Sequence, residues 1–223
     1  MKTWLYMAGL ELRILPPASY LLLLLALVLL ALTHGTLELA SRWPSHFIEN
    51  MESFFPLALA LISTPILLAD SEQGMTELNA TLPHRRFLVT RVYAVWGSAW
   101  LVIIAGAQLM NIFWGPVPFW SGMLAALGPA LFLASLSVWA TLWTARVSVG
   151  YLVALSLPVA DLILKVLGAF SAIPALQLLD TFSYRWATPA MPWWLPKIVM
   201  LAVGTILFER AVAKSRHYWS RAL

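Results

Sequence analysis

Asp161 and Lys165 stand one helical turn apart inside an otherwise apolar run. That spacing suits an ion pair within one helix. Ionisable groups deep in a membrane helix usually mark an ion or proton path. Counting about 1.5 Å per residue from Arg146 puts Asp161 roughly 20 Å along the helix, close to the far surface. Lys165 could extend its ammonium to the headgroups from there. The depth favours a structural, near-interface pair over a substrate or proton site. A second set has metal-type spacing: His34 and Glu38 are four apart, and His46, Glu49 and Glu52 are three apart. No pair among them makes a known ligand motif, and a solvated acidic loop helix accounts for them. There is no cysteine, hence no thiolate nucleophile or thiolate metal site. No Gly-x-x-x-x-Gly-Lys-Ser/Thr, His-Glu-x-x-His or Gly-x-Ser-x-Gly pattern occurs. A membrane enzyme or carrier acting alone would need several ionisable groups facing one cavity, and Asp161 with Lys165 is a thin supply.

The elements that would carry these residues are membrane helices. The 223 residues are 61% hydrophobic and only 11% charged, under half the share usual in a soluble domain, about 25%. The formal net charge of +4 does not indicate nucleic acid, because the basic residues flank apolar segments, where the positive-inside rule places them. Between Arg91 and Arg146 there is no Asp, Glu, Lys or Arg, which leaves room for two spans of about 20 residues each. The chain reads as all-α, with spans at 18–33, 53–69, 92–113, 119–142, 147–167 and 193–208. Residues 1–15 carry Leu5, Ala8, Leu12 and Leu15 at helical spacing and suit an amphipathic helix lying in the interface. Pro16 and Pro17 end it. The first span is read as retained, since Glu11 and a long leading segment do not fit a signal peptide. Residues 34–52 form an outer loop. Pro56 and Pro65 interrupt the second span, with Ser63 and Thr64 placed to satisfy freed carbonyls. Residues 168–192, broken by Pro174, Pro189 and Pro192, suit two short helices dipping into the outer leaflet or an ordinary outer loop. Glu209 and Arg210 end the last span.

One polar stretch stands apart, 70–91. Asp70 and Gln73 could form a capping box. Met75, Leu78 and Leu82 share one helical face, and Pro83 closes the turn. The physical product is a short amphipathic helix between two spans, able to dock in a groove of a soluble partner. A solvated loop with one helical turn fits the same residues equally well.

Glu72-Gln73-Gly74-Met75-Thr76-Glu77-Leu78-Asn79-Ala80-Thr81-Leu82-Pro83, followed by Arg86, resembles the first cytoplasmic loop of type-2 permeases of ATP-binding-cassette (ABC) transporters. That loop commonly reads Glu-x-Gly-Thr-x-Glu-x-Leu, then Leu-Pro and a basic residue. Met75 stands in place of the usual Thr, and Leu78 falls one position early. The likeness extends to the leading amphipathic helix, six spans, a broken outer segment and a basic tail. It implies a transmembrane subunit of a bacterial cell membrane, paired with a second copy or close relative. Two separate ATPase subunits would bind ATP and Mg; this chain would bind no cofactor and perform no catalysis. Glu72, Gly74, Met75, Glu77, Leu78, Leu82, Pro83 and Arg86 would form the coupling surface for the ATPase. Most relatives are exporters of drugs, peptides, lipids or glycans.

Orientation follows from charge. With both termini inside, the inner segments hold Lys2, Arg13, Arg85, Arg86, Arg91, Arg146, Arg210, Lys214, Arg216 and Arg221, against Arg42, Lys165, Arg185 and Lys197 outside. Reporter fusions at Ser71 and Ala213 should therefore read cytoplasmic, and fusions at Arg42 and Asp180 external. A cytoplasmic signal at Arg42 would overturn this topology.

Overall fold

The computed structural model describes residues 43–66, 87–185 and 191–221. The regular structure among these residues is helical, with no strand. The helices are α1 (Trp43–Ser63), α2 (Phe87–Trp114), α3 (Phe119–Thr144), α4 (Val147–Val166), the single turn α5 (Ala169–Ala172) and α6 (Trp194–Arg221), with a 3-10 turn at Pro174–Leu179 between α5 and α6. Among the described residues, three segments are long and apolar enough to cross a membrane: Val92–Ile112, Phe119–Thr144 and Val147–Val166. The leading interfacial helix, the span 18–33 and the coupling residues Glu72 to Arg86 lie outside the described residues.

α3 is the centre of the bundle. It packs against α1, α6 and α4. Its buried positions are mostly small: Gly122, Ala125, Ala126, Gly128, Ala130, Ala134, Ser135 and Ser137. Small side chains let helix backbones approach closely, which is the main source of packing energy between helices where apolar burial from water is weak. At Gly128 a Cβ would run into the Lys197 carbonyl of α6, and at Gly204 of α6 it would meet the Phe132 nitrogen at 2.7 Å. The α3–α6 crossing is therefore made by reciprocal glycines. α3 and α4 are joined by Ala145, in the left-handed conformation at φ 53°, and the extended Arg146. So short a connection makes the two helices antiparallel neighbours.

α2 is attached differently, through aromatic rings. Phe55 of α1 meets Trp100 edge-on at 4.3 Å between centroids. Trp96 donates its indole N–H to the Ser63 hydroxyl at 2.7 Å and packs on Phe208 of α6 at 5.0 Å. On the other side of α2, Leu101, Leu109 and Ile112 are exposed, as are Leu152, Leu155, Val159 and Val166 of α4.

α1 and α6 each run beyond the apolar segments in which the sequence suggests spans. α1 begins at Trp43, inside what was expected as loop 34–52. The apolar stripe Phe47, Met51, Phe55, Leu59 and Ile62 is continuous and buried, and a helix that buries such a stripe does not stop at Glu52. It ends at Ser63, because Pro65 disfavours helical backbone before it. Ser63 and Thr64 donate back to the carbonyls of Leu59 and Ala60, at 2.6 and 2.8 Å. α6 runs through Glu209 and Arg210 to Arg221. Those charges end an apolar run, but nothing between Glu209 and Arg221 breaks a helix.

The glycine crossing can be tested by thermal unfolding in detergent. Gly128→Val should destabilise the protein by about 1–3 kcal/mol or more through overpacking against backbone. Gly97→Ala on α2, where nothing lies within 4 Å, should leave stability unchanged or raise it by less than about 1 kcal/mol. Equal midpoints for the two variants would refute the close approach.

Candidate functional site

At the end of the bundle where α4 finishes and α6 starts, five charged side chains from four chain segments meet. α1 contributes Glu52, and α4 contributes Asp161 and Lys165. The turn after the 3-10 segment contributes Asp180, and the first turn of α6 contributes Lys197. Glu52 and Lys197 are each only 1% exposed, and Asp161 is 6% exposed. The Lys197 ammonium lies 2.5 Å from Glu52 Oε1 and donates to the Thr181 carbonyl at 2.6 Å. Glu52 also accepts the backbone N–H of Tyr184 at 2.8 Å through Oε1 and that of Arg185 at 3.1 Å through Oε2. Asp161 Oδ2 accepts from the Thr181 backbone N–H at 3.1 Å and from the Thr181 hydroxyl.

A charge this far from water is tolerated only when paired and hydrogen-bonded. The geometry meets that condition for Glu52 and Lys197 by using the backbone of residues 181–185 as partner. The carboxylates therefore hold chain rather than a free ligand. Asp180 caps its own turn by accepting the Phe182 N–H at 2.8 Å. Ser183 donates to the Trp193 carbonyl at 2.7 Å, and Tyr184 stands edge-on to Trp193 at 5.1 Å. Burial pushes the Tyr184 phenol above its ordinary value, with the charges of Glu49 and Glu52 adding to the shift. It stays a neutral group against the network.

Of the pair expected from sequence, Lys165 lies 3.8 Å from Asp161. Its closer ionic contact is Asp180. Its ammonium does not extend to a surface: the chain after α4 folds back over the helix end, so that Asp180 meets it and the rings of Phe170 and Phe182 face it at 5.7 and 5.2 Å. In the expected metal-type set, His46 lies 3.5 Å from Glu49 and both are partly exposed. Glu52 is turned away to Lys197, so the three are not brought together. The expectation of a solvated Glu52 is thus corrected. Among the described residues no group of three His, Cys, Asp or Glu is arranged to hold a metal ion. His34, Glu38 and the coupling residues Glu72, Gly74, Met75, Glu77, Leu78, Leu82, Pro83 and Arg86 lie outside the described residues.

Sequence reasoning missed Glu52 and Lys197 as partners. Each stands at the mouth of an apolar run. That position is a usable signal of burial, but it does not say which remote residue answers it. No family model, curated protein or solved structure matches the chain.

The network predicts a double-mutant cycle. Glu52→Gln or Lys197→Met alone leaves a buried charge without its partner and should cost about 3–5 kcal/mol. The double variant should be distinctly milder than the sum of the two. Lys165→Gln should couple more strongly to Asp180→Asn than to Asp161→Asn. Strict additivity in the Glu52–Lys197 cycle, measured by thermal unfolding, would remove the pair from the account.

Proposed function

We propose that this chain is the transmembrane permease subunit of an ABC transporter of the exporting kind. It would pair with a second copy or a close relative and form the substrate path with it. Separate ATPase subunits, carrying ATP and Mg, would drive it. The observation that carries this reading is the sequence from Glu72 to Arg86, which resembles the coupling loop of such permeases. An all-α protein with several membrane-type helices is the setting such a loop requires. The absence of a phosphate-binding glycine loop from the sequence puts ATP chemistry on a partner. Six spans, cytoplasmic termini and a bacterial cell membrane belong to the same proposal. Fixed charges suited to a small ion are few, which favours an amphiphilic or lipid-like substrate.

A second reading has one specific observation in its favour. A carrier working alone needs ionisable groups gathered within the helix bundle. Glu52, Asp161, Lys165, Asp180 and Lys197 are such a gathering. Each of those carboxylates nevertheless receives backbone N–H groups, which suits holding the fold better than holding cargo. The permease reading is therefore preferred.

The test lies on the loop. An apolar face of Met75, Leu78 and Leu82 docked on an ATPase would gain about 1.5–3 kcal/mol from each fully buried side chain. Leu78→Asp loses that gain and buries an unpaired carboxylate. Co-purification of an ABC-type ATPase partner, and coupled ATP hydrolysis, should fall by about a hundredfold or more, since about 1.4 kcal/mol is tenfold. Glu77→Ala should act more gently if its partner is exposed. Membrane levels should remain those of the wild type. Unchanged co-purification and coupling in Leu78→Asp would leave a solvated loop and end the permease assignment for this stretch.

A further inference from the structure

We propose that residues 180–185 form an openable strap, held shut across the ends of α1, α4 and α6 by the buried charge network. The inference does not depend on the partner or cargo of the protein. It holds for a permease subunit and for a carrier alike.

Most of the strap's anchors are polar or charged, the exception being the Tyr184 ring, which packs on Trp193 and the edge of the apolar core. Thr181 is held by Asp161 through its N–H and hydroxyl, and by Lys197 through its carbonyl. Tyr184 and Arg185 are held through their N–H groups by Glu52. Asp180 is held by Lys165. Thr181 and Ser183 are each 5% exposed, so the anchors are out of water while the strap is closed. The stretch leading into it, Ser171 to Ala175, is exposed and puts up little resistance to movement.

A closure made of charges behaves unlike one made of hydrocarbon. Apolar groups lose free energy of burial when water enters. Buried ion pairs lose their mutual attraction but regain hydration, and the two nearly balance. Closed and hydrated states of this segment are therefore close in free energy, whereas the alanine-lined α1–α3–α6 core has no hydrated alternative of that kind. The network is also incomplete when closed. Three carboxylates face two ammonium groups across it. Asp161 Oδ1 is buried and accepts no hydrogen bond among the described residues, and the Lys165 ammonium, though ion-paired, has no hydrogen bond of good geometry. Water entering here would find atoms ready to bond it, which is the condition for a stable wet state. Opening would expose the mouth between α1, α4 and α6 and leave the α3 crossings intact.

Hydrogen exchange on the full-length protein in detergent, read by mass spectrometry, tests this. The amides of Thr181, Tyr184 and Arg185 should exchange about tenfold or more faster than those in the middle of α3, as a local opening rather than global unfolding. Thr181→Val, which takes away only a hydroxyl donor, should speed exchange across 181–185 and leave α3 unchanged. Glu52→Gln should do so more strongly. A water-soluble maleimide reports the same event independently, because the chain has no cysteine of its own. A Ser183→Cys thiol should react slowly in the parent background and about tenfold or more faster with Glu52→Gln added. Exchange of the three amides in step with α3, with Ser183→Cys labelling unmoved by Thr181→Val or Glu52→Gln, would show a permanent clamp and overturn the strap. If Glu52→Gln speeds α3 equally, it has unfolded the protein, and Thr181→Val decides.

Discussion

A carboxylate and an ammonium 2.5 Å apart and almost wholly out of water set the terms for the rest of this structure. Neither Glu52 nor Lys197 can be left alone at that depth without a penalty of several kcal/mol. Each must also satisfy its remaining hydrogen-bonding capacity. α1 and α6 are therefore fixed relative to each other at one end, and the chain between the short 3-10 turn and α6 is drawn in to supply N–H groups and a carbonyl. Asp161 repeats the arrangement from α4. The ends of three helices are joined here by electrostatics that use the backbone of a fourth segment as their filling.

The middle of the bundle is held by a different force. α3 offers glycine and alanine on the faces that meet its neighbours, so the helices touch by backbone and short side chains rather than by interdigitated leucines. Such packing has little slack, as the reciprocal contacts of Gly128 and Gly204 show. α2, by contrast, leans on α1 and α6 through Phe55, Trp96, Trp100 and Phe208. Large rings make contacts over several ångströms and tolerate small sliding. The molecule thus combines a stiff α1–α3–α6 unit with a more loosely applied α2.

Much of this was legible in the sequence, and the failures have physical reasons. The charge-free run from Val92 to Ala145, punctuated by a Gly-Pro turn, is enough to place α2 and α3, and the two-residue link at Ala145–Arg146 sets α4 beside α3. α1 starts ahead of the apolar run because Phe47, Met51 and Phe55 keep helical spacing across Glu49 and Glu52, whose charges alone suggest a loop. α6 continues past the expected end of the last span because the edge of an apolar run is not the edge of a helix. The one-turn spacing of Asp161 and Lys165 drew attention to the right region. The stronger partner, Asp180, lies beyond a chain reversal that no local pattern announces. Glu52 and Lys197 illustrate the general limit: a charge beside an apolar run can be seen, but its long-range partner is a property of the fold.

The continuity of α6 has a mechanical side. Its 28 residues make a rod of about 42 Å at about 1.5 Å per residue. The close contacts at Lys197 and Gly204 hold this rod to α3 near one end, Phe208 and Ala211 continue the buried contact along it, and the Lys214 ammonium rests on the face of Trp143 of α3, 3.4 Å from the ring centroid. Only the last two turns, about 10 Å of helix by the same rise, extend beyond Lys214. The buried charges at one end and the basic residues at the other are thus carried on a single rod fastened to α3 over most of its length.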